Sequence, residues 1–94
     1  MILISYDIAN DKLRRKFAKD LEKYGYRIQY SVWKIDNSER ILNNIKNVIE
    51  NTYKKKFGEE DSVYILRIAG SSEAIRYGYA KHEDKEVIRI DRNE

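Results

Sequence analysis

The stretch that decides the fold is the beginning of the chain, Met-Ile-Leu-Ile-Ser-Tyr-Asp at residues 1–7. Its isoleucine, leucine and tyrosine side chains favour a strand, and the run is apolar on both faces, as in the central strand of a sheet. Asp7 places a carboxylate at the carboxyl end of this strand. The sequence therefore predicts a central strand that ends in an acid.

A helix is predicted directly after this strand. Asn10 or Asp11 can cap its amino end, and we expect Gly25 to stop it after about Tyr24. At about 100° per residue, one apolar stripe and one lysine stripe lie on opposite sides of this helix. The apolar stripe consists of Leu13, Phe17, Leu21 and Tyr24, and the lysine stripe of Lys12, Lys16, Lys19 and Lys23.

Strict alternation over residues 26–32 predicts a second strand. Residues 33–35 either continue this strand or form a short neighbour, because no glycine marks a turn. A second helix follows a cap at Asn37 or Ser38 and ends at Gly58. Its wide apolar face consists of Ile41, Leu42, Ile45, Val48, Ile49 and Thr52.

Three further segments complete the chain. Residues 62–68 predict a strand, residues 70–84 a polar loop, and residues 86–90 a short last strand. Two helices on one face of a small antiparallel sheet make an α+β sandwich, and the order of the elements favours the ferredoxin-like βαββαβ topology with an additional short C-terminal strand. We predict a single ferredoxin-like domain over residues 1–94.

The composition excludes several kinds of protein. The chain has 94 residues, 37% of them charged, and it contains no cysteine, so thiol catalysis, disulfides and cysteine zinc sites are excluded. No apolar run approaches the roughly 18 residues of a membrane span, and residues 1–7 have neither the basic segment nor the apolar length that a secretion signal needs. We therefore expect a soluble, cytoplasmic protein without a membrane partner.

Charge is distributed unevenly along the chain. Residues 1–57 hold 13 basic and 7 acidic side chains, a net charge of +6, whereas residues 58–94 carry −3. A polyanion would therefore bind the first part. The alternative is an ordinary solvated surface. His82 is interpreted as an exposed loop residue, because one histidine alone makes neither a triad nor a metal site.

Asp7 is the most informative candidate for chemistry. A lone acid here could simply end the strand or cap the helix, but its carboxylate is also a hard ligand for Mg²⁺ or Mn²⁺. One carboxylate holds such an ion poorly, and a twofold dimer with the strand ends near its axis would supply a second. The candidates for phosphate and base contacts are Tyr6, Arg14, Arg15, Arg27, Tyr30 and Trp33. In the alternative without function, Tyr30 is a core residue and the arginines form surface ion pairs.

Two motifs together resemble the CRISPR-associated Cas2 family, the small subunit of the spacer-acquisition machinery. One is Ile-Ser-Tyr-Asp-Ile at residues 4–8 with the basic segment at residues 10–15, and the other is Tyr-Gly-Tyr-Arg-Ile-Gln-Tyr-Ser-Val-Trp at residues 24–33. The resemblance is close over residues 1–35 and loose over the rest. Trp33 stands where phenylalanine is commoner in the family, and residues 34–36 replace a frequent glycine-containing stretch.

The resemblance implies a ferredoxin-like homodimer that pairs through its sheets, with the C-terminal strand crossing to the partner. It implies that Asp7 is the catalytic and metal-binding residue, one from each subunit, with Mg²⁺ or Mn²⁺ as cofactor. The positions that match nucleic-acid contacts are Tyr6, Arg14, Arg15, Arg27 and Trp33. The implied activity is metal-dependent endonuclease cleavage of RNA or DNA in CRISPR adaptation, an antiviral defence.

Three alternatives to this nuclease stay open. The chain could be a non-catalytic scaffold that binds DNA and bridges dimers of the integrase subunit of the adaptation complex. It could be a single-stranded RNA module that uses the open sheet face, although it lacks the glycine- and aromatic-containing run of that class. It could also be a ribonuclease toxin on the same fold.

Overall fold

A computed structural model of the chain describes residues 1–68 and 73–78. The strands are β1 (Ile2–Asp7), β2 (Gly25–Gln29), β3 (Val32–Ile35), β4 (Ser62–Arg67) and β5 (Glu73–Gly78). The helices are α1 (Asp11–Leu21) and α2 (Glu39–Val48), and α2 continues into a π-helical turn (Ile49–Tyr53) and a 3-10 turn (Lys54–Lys56). The sheet order is β2-β3-β1-β4-β5, and every neighbouring pair is antiparallel. The first four strands and both helices have the predicted βαββαβ order, which confirms the ferredoxin-like fold.

The core lies between one face of the sheet and the two helices. In β1 the side chains of Ile2, Ile4 and Tyr6 are buried, while those of Leu3 and Ser5 are half-buried on the other face. This alternation follows from the two-residue period of a strand. Each fully buried aliphatic or aromatic side chain stabilises the fold by roughly 1.5–3 kcal/mol. The helices contribute Phe17, Leu21, Leu42, Ile45, Ile49 and Tyr53 to this core.

The helix caps agree with the sequence, but α1 is shorter than predicted. The side chains of Asn10 and Ser38 accept hydrogen bonds from the backbone N–H groups of Leu13 (2.8 Å) and Ile41 (3.3 Å). The prediction that α1 reaches Tyr24 is wrong, because the helix ends at Leu21 and Gly25 opens β2. A Cβ at Gly25 would lie 2.0 Å from the Lys34 carbonyl oxygen, so only glycine permits this approach of β2 to β3.

Residues 26–32 form two strands, not the single strand that their alternation predicted. The chain turns at Tyr30 and Ser31 with no glycine or proline, and residues 33–35 belong to the short neighbouring strand β3. The register shifts between Arg27 and Gln29, as at a β-bulge. Tyr30 is 76% exposed and is therefore a turn residue, so the alternative that placed it in the core is wrong.

The fifth strand lies inside the segment that was predicted to be a loop. Residues 73–78 form β5, which pairs with β4 over six residues. Gly78, at φ +99°, ends this strand in a conformation that favours glycine. The predicted strand at residues 86–90 and the predicted loop residue His82 lie outside the described residues. Within residues 1–68 and 73–78, no helix is long and apolar enough to cross a membrane.

Candidate metal site and nucleic-acid interface

Asp7 lies at the carboxyl end of β1 on the face of the sheet that the helices do not cover, here called the open face. Strand alternation turns Tyr6 towards the helices and Asp7 the other way. The Asp7 side chain is exposed, and its register partner on β4 is Ser62. Within the described ranges, no side-chain hydrogen bond or ion pair engages its carboxylate. Both oxygens are therefore available to an outside ligand.

One chain alone does not assemble a metal centre around Asp7 from the described residues. No group of three or more histidines or acids that could hold an ion occurs among them. Asp61, which precedes β4, is 5% exposed and accepts backbone hydrogen bonds from Ala9 (2.8 Å) and Gly58 (2.7 Å). Asp61 thus clamps two loops together. The carboxylate of Asp7 suits Mg²⁺ or Mn²⁺ chemically, but the described part of the chain gives it no further carboxylate ligand.

Arg14 holds the connection between β1 and α1. One of its guanidinium nitrogens donates to the Ile8 carbonyl oxygen at 2.9 Å, and another pairs with the Asp11 carboxylate. The hydrogen bond that the Arg14 guanidinium donates to the Asp11 carboxylate raises the pKa of Arg14 above its ordinary value. Because two of its donors already have partners in the chain, Arg14 has fewer free donors for phosphate than its sequence position suggests.

Tyr6 and Trp33 are core residues. They are 5% and 3% exposed, and the Trp33 Nε1–H donates to the Tyr6 hydroxyl at 3.0 Å. The Tyr6 ring also meets Phe17 edge-on, with 5.1 Å between centroids. Neither ring offers an open face to a base, and direct contact of these residues with nucleic acid stays a prediction. The Arg27 guanidinium lies 5.1 Å from the centroid of the Trp33 ring, and this cation–π contact stabilises the position of Arg27.

The three predicted arginines meet in one depression between α1 and the β2–β3 hairpin, here called the arginine depression. It is lined by Tyr6, Arg14, Arg15, Ala18, Lys19, Glu22, Arg27 and Tyr30. It opens on the helical side of the sheet, so Asp7 does not share it. Tyr30 was among the candidates for base contacts in the sequence but not among the positions that the family resemblance implies, and its exposed ring lines this depression.

The fold and this geometry define a class: small ferredoxin-like α+β proteins with an exposed carboxylate at the end of β1 and a basic edge beside α1. A family model described as CRISPR associated protein Cas2 matches residues 1–74. The chain belongs to the Cas2 family.

Curated proteins agree with this assignment, and a solved structure agrees with the fold. The chain is 36% identical over 70 residues to CRISPR-associated endoribonuclease Cas2 3 of Synechocystis sp., covering 74% of this chain and 73% of that protein. It is 35% identical over 79 residues to CRISPR-associated endoribonuclease Cas2 2 of the same organism, covering 81% and 82%. The crystal structure of a hypothetical protein TT1823 from Thermus thermophilus superposes with a TM-score of 0.63 at 30% identity, covering 79% of this chain and 87% of that one.

Proposed function

We propose that the chain is a homodimeric, metal-dependent endonuclease that works in CRISPR adaptation and also binds DNA. The observation that carries the proposal is the exposed Asp7 carboxylate, which has no partner among the described side chains and lies on the open face of the sheet. Relatives named endoribonucleases support RNA as one substrate. We further propose that the protein acts in the cytoplasm as one domain over residues 1–94.

Exposed apolar side chains on the open face support the homodimer. Tyr26 and Ile28 of β2 are 57% and 46% exposed, and Leu3, Val32 and Leu66 are half-buried beside them. Register pairs Tyr26 with Lys34, Lys34 with Leu3, and Leu3 with Leu66, so Tyr26, Leu3 and Leu66 lie in one row across the sheet that Lys34 interrupts. Covering this row with a second copy would remove it from water and bring the two open faces together.

In the dimer, the Asp7 carboxylate of each copy would hold Mg²⁺ or Mn²⁺. When bound, such an ion polarises a phosphodiester and lowers the pKa of a bound water. Asp7 contributes hard oxygen ligands and negative charge. Arg15, Arg27 and Lys19 line a depression on the other side of the sheet, so their part is to bind the nucleic-acid backbone and not to assist at the reacting phosphate.

A second candidate function is the non-catalytic DNA-binding adaptor that bridges dimers of the integrase subunit. The separation of Asp7 from the arginine depression favours it as a distinct role, because DNA can occupy the depression whether or not Asp7 holds a metal. The two functions are compatible in one molecule, and each depends on its own residues.

The substitution Asp7→Asn tests the catalytic part. It keeps the shape of the side chain and removes its charge, so we expect cleavage of labelled RNA and DNA in Mg²⁺ or Mn²⁺ to fall to the background level while binding of DNA is retained. Asp36→Asn, at another exposed acid, is the matched control and should cleave like the wild type. Cleavage by Asp7→Asn at the wild-type rate would refute the nuclease and leave the adaptor.

A further inference from the structure

The hydroxyl of Ser62, at the start of β4, is a buried polar group. Ser62 is 7% exposed, and none of the described residues forms a hydrogen bond with its hydroxyl. Buried hydroxyls in folded proteins are nearly always paired with protein, water or an ion, because leaving such a hydrogen bond unmade is unfavourable. The Ser62 hydroxyl therefore keeps its full bonding capacity for a ligand from outside the chain.

This hydroxyl lies beside Asp7 on the open face. Val63 and Ile65 of β4 are core residues, so strand alternation turns Ser62 the other way. Ser62 and Asp7 are directly opposite each other in the antiparallel register of β4 and β1. The Cβ atoms of such a pair are about 4.5–5.5 Å apart, so the two side chains can contact the same small ligand.

The neighbouring elements fix this pair without engaging the hydroxyl. On its other side, the register partner of Ser62 is Gly78 of β5, which has no side chain to reach it. A Cβ at Gly78 would lie 2.7 Å from the Ser62 Cα, so β5 approaches too closely for a larger residue. Asp61 holds the start of β4 against the segment after β1, because its carboxylate accepts backbone hydrogen bonds from Ala9 and Gly58. The positions of Asp7 and Ser62 are thus fixed relative to each other.

We infer that Ser62 is a second ligand of the divalent cation proposed for Asp7, with its hydroxyl oxygen bound beside the Asp7 carboxylate. Mg²⁺ and Mn²⁺ take oxygen ligands, and a serine or threonine hydroxyl together with an aspartate holds Mg²⁺ in P-loop proteins. One chain then supplies an anionic and a neutral oxygen, and a second copy would supply the same pair. The inference rests on the metal site of the proposed function and adds a ligand from the same chain.

Binding of Mn²⁺ tests the inference without measuring cleavage. The loss of the electron paramagnetic resonance signal of free Mn²⁺ gives the dissociation constant for the full chain. Ser62→Val and Ser62→Thr have the same branched shape and differ in the hydroxyl. We expect Ser62→Thr to bind Mn²⁺ like the wild type and Ser62→Val to bind at least about tenfold more weakly, the smallest loss typical of residues that support a metal site.

The matched control is the same pair of substitutions at Ser5. This residue lies on the same face, but its register partner is Tyr64 and not Asp7, so Ser5→Val and Ser5→Thr should bind Mn²⁺ equally well. Thermal melting without metal checks the fold. Because no described residue pairs with the Ser62 hydroxyl, Ser62→Val should melt no lower than Ser62→Thr. Ser62→Ala is a second variant without the hydroxyl and should bind Mn²⁺ as weakly as Ser62→Val.

The possible failures are distinguishable. Equal Mn²⁺ affinities of Ser62→Val and Ser62→Thr would overturn the inference and leave Asp7 as the proposed ligand. A metal-free Ser62→Val that melts below Ser62→Thr would assign the hydroxyl a structural role and overturn the inference as well. A wild-type protein that does not bind Mn²⁺, or an Asp7→Asn variant that binds it with wild-type affinity, would overturn the proposed metal site itself.

Discussion

The two faces of the sheet differ within a single strand. On the helical face of β1, Ile4 is fully buried and Tyr6 is 5% exposed, whereas on the open face Leu3 is half-buried and Asp7 is exposed. The helices of the same chain cover the helical face. The open face keeps apolar groups in water beside the carboxylate that the proposed chemistry uses, so the face that adds least to the stability of one copy is the face available to a second.

The largest expected effect is the difference in the free energy of unfolding that is lost when a side chain is shortened on either face. Ile4→Ala removes a fully buried side chain and leaves a cavity, so we expect the free energy of unfolding to fall by about 2–5 kcal/mol. Ile28→Ala on the open face should cost less than about 1 kcal/mol. Urea unfolding at low protein concentration measures both. Equal losses would mean that the open face is as well packed as the core.

The next effect concerns association. Leu66→Glu places a charge among the half-buried groups on the open face, and we expect it to weaken the proposed homodimer at least about tenfold, which is about 1.4 kcal/mol. Sedimentation over a range of concentrations gives the dissociation constant. Asn44→Glu, at an exposed position of α2, is the control and should dimerise like the wild type. A variant that dimerises equally well would show that this row is not the interface.

The sequence predicts the helical face better than the open one. Periodicity identifies β1, both helices and β4 because burial on one side imposes a pattern on the residues. It misses the turn at Tyr30 and Ser31, where the chain reverses without glycine or proline, and it misses β5, whose hydrogen bonds with β4 form only in the tertiary fold. Strict alternation over residues 26–32 was misleading because it continues through that turn.

For the candidate site, the residue types were predictable and their surroundings were not. The motif identified Asp7, Arg15 and Arg27 by position. It could not show that Arg14 donates to the Ile8 carbonyl, or that Trp33 is buried under Arg27, because these contacts depend on side-chain packing. Asp61 gave no signal in the sequence, although it clamps the loop that follows Asp7.

The smallest expected effect is the loss of stability when the hydroxyl of a buried tyrosine is removed, compared with that of an exposed one. The Tyr53 hydroxyl donates to Asp20 at 2.5 Å, and burial together with this hydrogen bond raises the pKa of Tyr53 above its ordinary 10.0. Tyr77 donates to Glu50 at 3.1 Å, and burial raises its pKa to about 12. Folding favours the neutral phenols, so their contribution is complete below about pH 10 and is lost as the pH rises through the raised pKa values.

Tyr53→Phe should therefore lower the free energy of unfolding at neutral pH by about 1 kcal/mol and make its decline above about pH 10 less steep. Tyr30→Phe, at the exposed turn, should change neither quantity. Chemical unfolding followed by circular dichroism at a series of pH values measures both variants against the wild type. An equally steep decline in Tyr53→Phe would assign the alkaline sensitivity to groups other than the hydrogen bond between Tyr53 and Asp20.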